Sequence, residues 1–228
     1  MNMLMSRFRF MTGFVASLFV FLSGSLAQAT LISVLMDTDG ELVNGDKVFS
    51  EFTYLATGDM PSADLVNVVS ITDDDGNLGI RFQGAFVDLF GGGGGSDALI
   101  TYKVTSLGAP IIDVHLAANT AVVGVPGEKV GFMGITETFI PDDTELSLAV
   151  FDIEPGSRSL VARGEFSEPH QILRVQKDIL AFSASEGTAA TVSFVDQTFS
   201  QVPEPSTVVL AGVALLSLLW IRIFRRRR

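Results

Sequence analysis

Apolar and polar residues alternate through most of the middle of the chain. Leu78, Ile80 and Phe82 are separated by glycine and arginine, and the same period of two recurs over residues 100–105 and 112–116. Successive side chains of a β-strand point to opposite faces of the sheet, so this pattern predicts strands with one buried face. These segments are therefore predicted to be half-buried strands.

About a dozen segments have the length and the Val, Ile, Phe and Thr content typical of strands. Glycine, aspartate, asparagine or proline separates them at intervals of roughly eight to twelve residues, the spacing expected of an all-β sandwich or barrel. The other predicted strands are residues 31–36, 47–56, 65–71, 130–140, 146–151, 160–166, 172–182 and 191–199.

The connections carry their own signals. Asn44-Gly45 predicts a hairpin turn, and the five glycines at residues 91–95 predict a flexible strand connection. No convincing amphipathic helix and no internal repeat is found. We therefore predict an all-β fold: a single antiparallel β-sandwich ectodomain, of jelly-roll or Ig-like type, over residues 30–201.

The N-terminal 29 residues have the composition of a secretory signal peptide. Arg7 and Arg9 precede an almost wholly apolar stretch at residues 11–22, and Ala27 and Ala29 then form a small-x-small cleavage site. A basic, an apolar and a small-residue region in this order are typical of a signal peptide. We expect the secretion machinery to export the chain and to leave Thr30 as the first mature residue.

The C-terminus is predicted to form a short transmembrane helix. Residues 207–221, from Thr207 to just past Trp220, carry no charge. As a helix they would span about 22 Å, less than the roughly 30 Å hydrocarbon core of a bilayer. A cluster of arginines follows, and such a cluster favours a cytoplasmic tail with the preceding chain outside. These stop-transfer arginines are Arg222, Arg225, Arg226, Arg227 and Arg228.

A Pro-Glu-Pro motif, Pro203-Glu204-Pro205, stands immediately before this helix. The order of Pro-Glu-Pro, short apolar helix and arginine cluster over residues 202–228 resembles the PEP-CTERM sorting signal of bacteria that make extracellular polysaccharide. The resemblance implies processing by exosortase, a membrane-embedded cysteine transpeptidase, with Pro203, Glu204 and Pro205 recognised rather than catalytic. Residues 175–201 are similar to the ends of uncharacterised ectodomains attached to such signals. A permanently anchored single-pass protein is the alternative.

Charge and cysteine content exclude several functional classes. Residues 30–202 contain 25 acidic residues and 8 lysines or arginines, a net charge of −17. Nucleic-acid binding requires a basic surface, so we expect no nucleic-acid partner. The chain has no cysteine, which excludes a cysteine nucleophile and thiolate metal sites. The fold must be stabilised without disulfides, although an exported compartment would permit them.

The sequence does not identify a catalytic centre. The two histidines, His115 and His170, fall on the polar side of a predicted strand and in a predicted turn, and both are expected to be solvated surface residues. No Gly-x-Ser-x-Gly nucleophile turn is present. A glycosidase needs two carboxylates at a defined separation, and the sequence does not nominate a pair. We therefore predict a protein that is not an enzyme.

Two aspartate-rich turns are candidate calcium sites, because calcium prefers several oxygen ligands. The candidate ligands are Asp37, Asp39, Asp73 and Asp75. Neither turn fits the Asp-x-Asp-x-Asp-Gly pattern of the helix-loop-helix calcium loop, and aspartate is also an ordinary residue of tight turns. We expect no cofactor, with calcium as the alternative.

The predicted function follows from the two terminal signals. We expect an inner-membrane intermediate with its ectodomain outside and its arginine tail in the cytoplasm, followed by release to the cell envelope or extracellular matrix. A structural or adhesive role in extracellular polysaccharide or biofilm is the first hypothesis. A carbohydrate-binding or carbohydrate-active protein in the same location is the alternative.

Overall fold

A computed structural model of the chain describes residues 29–91, 94–124 and 130–201. The described residues form two antiparallel sheets packed as a sandwich, which confirms the predicted all-β fold. Strands are numbered in chain order. The six-stranded sheet contains, in spatial order, β1 (Thr30–Leu31), β4 (Asn67–Thr72), β5 (Leu78–Leu89), β13 (Ala189–Gln201), β7 (Ile111–Val123) and β11 (Val161–His170). The seven-stranded sheet contains β10 (Arg158–Ser159), β9 (Asp143–Glu154), β8 (Gly131–Phe139), β12 (Ile172–Ser183), β6 (Ser96–Ser106), β3 (Lys47–Thr57) and β2 (Leu42–Asn44).

The core lies between the two sheets and is rich in aromatic side chains. Phe49, Phe82 and Tyr102 are almost completely buried. The ring centroid of Tyr102 lies 6.2 Å from that of Phe49 and 5.6 Å from that of Phe82. Phe52 stacks on Tyr102, and Phe199 packs against Phe49. Burying one such side chain contributes about 1.5–3 kcal/mol, so this cluster stabilises the sandwich without disulfides.

The prediction of a strand at residues 31–36 is wrong. Only Thr30–Leu31 is a strand there, and Ile32–Asp37 forms the short helix α1. Ile32 and Leu35 are buried against the core, three positions apart on one helical face. A short apolar run fits a period of three as well as a period of two, so its pattern could not separate the two structures. A single 3₁₀ turn, Ala63–Leu65, likewise replaces the start of the predicted strand at 65–71.

Two predicted connections are found, with added detail. Asn44 pairs with Lys47, so Gly45-Asp46 is the hairpin turn, and Gly45 adopts φ +59°, which favours glycine. The glycine-rich segment follows β5 and precedes β6, and these strands belong to different sheets. It therefore connects one layer of the sandwich to the other.

Several predictions fall outside the described residues. These are the signal peptide apart from Ala29, which is exposed, and residues 202–228 with the Pro-Glu-Pro motif and the arginine cluster. Among the described residues, no helix is long and apolar enough to cross a membrane.

Candidate functional site

A groove of about 480 Å³ lies on the outer face of the six-stranded sheet. Strand register positions its side chains in two rows. In one row Arg81 of β5 lies opposite Asp196 of β13, which is opposite Ala117 of β7. In the next row Thr198 lies opposite His115. All of these side chains point away from the core because they alternate with buried neighbours on the same strands.

Arg81 and Asp196 form a two-pronged ion pair at the centre of the groove. Arg81 Nε lies 2.6 Å from Asp196 Oδ1, and Arg81 Nη2 lies 2.7 Å from Oδ2. The guanidinium also stacks on Phe194, with Cζ 3.9 Å from the ring centroid. The hydrogen bonds to Asp196 raise the pKa of Arg81. Such pairs have fixed geometry, so this planar donor group is held in one orientation.

Asp73, at the turn between β4 and β5, closes one end of the groove. Its carboxylate accepts hydrogen bonds from the backbone N–H groups of Asp75 and Asn77, from Asn77 Nδ2 and from the Thr198 hydroxyl, at 2.8–3.0 Å. Burial alone would raise the pKa of Asp73, but these hydrogen bonds outweigh it and lower the pKa to about 2. Asp73 is therefore a stable anion that fixes the turn to β13.

His115 lies between two carboxylates instead of in solvent. Its Nδ1 is 3.3 Å from Asp73 Oδ2, its Nε2 is 3.1 Å from Asp113 Oδ1, and its side chain is only 15% exposed. This corrects the expectation of a solvated surface histidine. Each ring nitrogen of His115 therefore lies close to a carboxylate oxygen of the protein.

A second arginine–aspartate pair forms the rim of the groove. Arg163 Nη2 lies 3.0 Å from Asp75 Oδ2, and both side chains are more than half exposed. Ile71, Ala117 and Val161 contribute apolar surface to the lining of the groove. The groove thus combines fixed donors, fixed acceptors and a partly apolar floor, an arrangement that suits a ligand with many hydroxyl groups.

The structure separates the two predicted calcium turns. Asp37 and Asp39 are exposed around the end of α1, away from the groove, whereas Asp73 and Asp75 line it. In the parts of the chain that the structure describes, no group of three or more histidine, aspartate or glutamate residues is arranged to hold a metal ion. The carboxylate oxygens of Asp73 accept hydrogen bonds from protein donors, and Asp75 forms an ion pair with Arg163.

The second histidine is also more enclosed than the sequence indicated. His170 is the last residue of β11 instead of a turn residue, and its ring packs edge-on against Phe166 at 5.3 Å. Its Nε2 lies 3.8 Å from Asp143 Oδ2. His170 is outside the groove and lies on the side where β11 pairs with the start of β7.

The last described residue, Gln201, is firmly held at the end of β13. Its Nε2 donates to Asp46 Oδ2 at 2.6 Å, to Ser106 Oγ at 2.7 Å and to the Ala109 carbonyl at 2.5 Å. The chain therefore leaves the sandwich at a fixed point, at the end where the β2–β3 turn and the β6–β7 connection meet.

Comparison with known proteins identifies the C-terminal segment. Residues 201–228 match the family model of the PEP-CTERM protein-sorting motif, which confirms the resemblance drawn from the Pro-Glu-Pro motif, apolar helix and arginine cluster. No curated protein matches the chain. The matched residues begin at Gln201, so the sorting motif starts where the described sandwich ends.

Solved structures are similar to the chain only distantly. The carbohydrate-binding module TmCBM61 in complex with β-1,4-galactotriose is 12% identical, over 65% of this chain and 88% of that chain, with a TM-score of 0.31. The xylan-binding module CBM15 is 12% identical, over 72% and 97%, with a TM-score of 0.29. Tailspike protein 4 of bacteriophage CBA120 is 14% identical, over 66% and 20%, with a TM-score of 0.29. Similarity at this level does not define a function.

Proposed function

We propose that this exported exosortase substrate has a structural or adhesive role in extracellular polysaccharide, within the cell envelope or extracellular matrix. The observation that carries the proposal is the PEP-CTERM motif at residues 201–228, which implies export and a membrane-anchored precursor. On this account Pro203, Glu204 and Pro205 are recognised during processing. The apolar segment that begins at Thr207 is proposed to hold the chain in the membrane until then.

We further propose that the groove on the six-stranded sheet is the polysaccharide contact. Arg81 is fixed by Asp196 and by Phe194, and Asp196 is fixed by Arg81. Arg81 can therefore donate to sugar hydroxyls, and Asp196 can accept from them, with little loss of side-chain entropy. The apolar surface of Ile71 and Val161 supports contact with the less polar faces of sugar rings.

Charge in the groove favours a neutral polysaccharide over an acidic one. Its lining includes four aspartates and two arginines, and residues 30–202 carry a net charge of −17. An acidic chain would be repelled unless cations screened it. The proposed ligand is therefore an uncharged segment of an extracellular polysaccharide.

The groove favours binding over hydrolysis. A glycosidase needs one carboxyl group with a raised pKa as its general acid. The pKa of Asp73 is instead lowered to about 2, and Asp196 is committed to Arg81. Both features support a non-catalytic role, in which the carboxylates act as hydrogen-bond acceptors.

Affinity electrophoresis tests this proposal. The protein is run through gels with and without the extracellular polysaccharide of the producing cells. The test variant is R163A, because Arg163 is 67% exposed and its loss should leave the fold intact. The control is R174A, an exposed arginine that also pairs with an aspartate, Asp142, but lies on the other sheet.

We expect the polysaccharide to retard the wild type and R174A equally. R163A should bind about tenfold more weakly, the equivalent of one hydrogen bond from a charged donor at ~1.4 kcal/mol. Equal retardation of all three proteins would remove the groove from the proposal. Release of new reducing ends by the wild type would contradict the non-catalytic role.

A further inference from the structure

Three polar side chains lie completely buried between the two sheets. Glu137 of β8 and Lys177 of β12 come from the seven-stranded sheet, and Gln197 of β13 comes from the six-stranded sheet. Each has 0% exposure. Lysine and glutamate are almost never fully buried unless they are paired, so this cluster requires an explanation.

The sequence itself places these three residues on the inward faces of their strands. Each of the three polar residues has an apolar residue two positions before it and another two positions after it. The three segments are Ile135-x-Glu137-x-Phe139, Val175-x-Lys177-x-Ile179 and Val195-x-Gln197-x-Phe199. Because the side-chain period of a strand is two, these positions can face only the core.

Lys177 contacts both of the other side chains. Its Nζ donates to Glu137 Oε2 and to Gln197 Oε1. Gln197 Nε2 donates to the His115 carbonyl at 3.1 Å. The amine of Lys177 thus contacts both a carboxyl group and a carboxamide within an apolar core.

A purely structural ion pair explains this cluster poorly. Among the described residues, Glu137 Oε1 and the hydroxyl of Tyr102 are buried without a hydrogen-bond partner. A buried ion pair stabilises a fold only if its remaining polar atoms are satisfied, and apolar replacements are otherwise as good or better. The cluster therefore leaves one carboxyl oxygen of Glu137 unsatisfied in the core.

The environment of the three groups favours acyl transfer. Burial lowers the pKa of Lys177 and raises the pKa of Glu137, and both shifts favour the uncharged forms. An uncharged amine is a nucleophile, and a neighbouring carboxylic acid can transfer protons to and from the reacting atoms. Contact between the amine and the amide also removes most of the entropic cost of bringing the reactants together.

We propose that Lys177 and Gln197 form an intramolecular amide cross-link between the two sheets, with Glu137 as the proton-transfer group. Lys177 Nζ attacks Gln197 Cδ, the Nζ–Cδ bond forms, and the Cδ–Nε2 bond breaks. Nε2 leaves as ammonia, with a proton that Glu137 carries from Nζ. Glu137 ends in its starting state, and the reaction uses no oxidant or reductant.

The cross-link would connect β12 to β13 covalently across the core. The chain has no cysteine, so this amide bond would supply the kind of constraint that disulfides provide in other exported proteins. A covalent bond between the sheets suits a protein that acts outside the cell, where unfolding exposes it to proteolysis.

Mass spectrometry of the protein recovered from producing cells tests the proposal. Proteolytic peptides should include a branched species that joins Lys177 to Gln197 and is lighter by one ammonia than the two separate peptides. K177R and E137Q should give the separate, unmodified peptides. K103R should retain the branched species, because Lys103 pairs with Glu51 at the surface.

The wild-type result decides the question even if a variant fails to fold. Separate peptides that contain unmodified Lys177 and unmodified Gln197 would overturn the proposal. A branched species that joins Lys177 to Glu137 with loss of water would also overturn it, because Glu137 would then be the acyl donor. A branched species of unchanged yield in E137Q would exclude the proton-transfer role.

Discussion

Replacement of Asp73 by asparagine should destabilise the sandwich in a pH-dependent way. The Asp73 carboxylate accepts hydrogen bonds from two backbone N–H groups, from the Asn77 amide and from the Thr198 hydroxyl. The variant D73N keeps the shape of the side chain but removes its charge. It therefore imitates the protonated form of Asp73.

The expected magnitude follows from the pKa of Asp73. The pKa falls from the ordinary 3.8 to about 2 in the folded protein, and each unit corresponds to about 1.4 kcal/mol. Because the side chain is only 25% exposed, solvent screening leaves most of this effect, about 2 kcal/mol. A depressed pKa stabilises the fold above the unfolded pKa, and the effect is lost as the pH falls through the folded pKa. The loss should therefore fall between about pH 4 and about pH 2.

Urea denaturation of the wild type, D73N and the control D74N at several pH values measures this effect. Asp74 is the exposed neighbour in the same turn, so D74N should change the free energy of unfolding by less than about 0.5 kcal/mol. D73N should lower it by about 2 kcal/mol near neutral pH, and the difference should fade toward about pH 2. A difference that is absent near neutral pH, or that persists unchanged at low pH, would show that the charge of Asp73 does not stabilise the fold.

Three further predictions concern packing, the end of the sandwich and metal. A methyl group added at Gly79 would lie 1.8 Å from the Gln197 carbonyl oxygen, so G79A should lower the free energy of unfolding by about 1–3 kcal/mol. The control is G84A, whose added methyl group would meet no atom closer than 3.4 Å. G84A should have a smaller effect in the same denaturation assay. Q201A removes three hydrogen bonds. It should speed hydrogen exchange of the backbone amides at the end of β13 and leave the exchange rate at the start of β13 unchanged. A chelator should leave the melting temperature unchanged, because the oxygens of Asp73 already accept protein hydrogen bonds; a lower melting temperature would support the calcium alternative.

The strands were predictable because one face of each is buried. Ile80, Tyr102 and Val114 were assigned to alternating apolar faces, and all three lie in the core. Strict alternation leaves only one choice of inward face, which makes the sequence signal strong. The hairpin at Asn44-Gly45 was predictable for a local reason, since its turn requires a residue that tolerates positive φ.

The groove was not predictable because its residues meet through long-range strand pairing. Arg81 and Asp196 are 115 positions apart, and β5 and β13 pair only because of the order of strands in the sheet. The sequence indicated that Arg81 faces outward but gave no partner for it. The aspartates of the β4–β5 turn were noted as calcium candidates, whereas in the fold they contact His115 and Arg163.

The buried polar cluster had a sequence signal that strand periodicity could have revealed. Lys177 occupies an inward position between Val175 and Ile179. A charged residue at such a position indicates either a bend in the strand or a buried pair. The identity of its partners, Glu137 and Gln197, still depends on how the two sheets pack.

Mass spectrometry of the C-terminus of the mature protein, recovered from both the medium and the membrane fraction, distinguishes a processed chain from an anchored one. Processing by exosortase predicts a chain that ends near Pro203–Pro205 and lacks the segment from Thr207 to Arg228. The same product should be missing when Pro203, Glu204 and Pro205 are all replaced by alanine. An intact Arg228 on a chain that remains in the membrane would contradict the account and make this a permanently anchored protein.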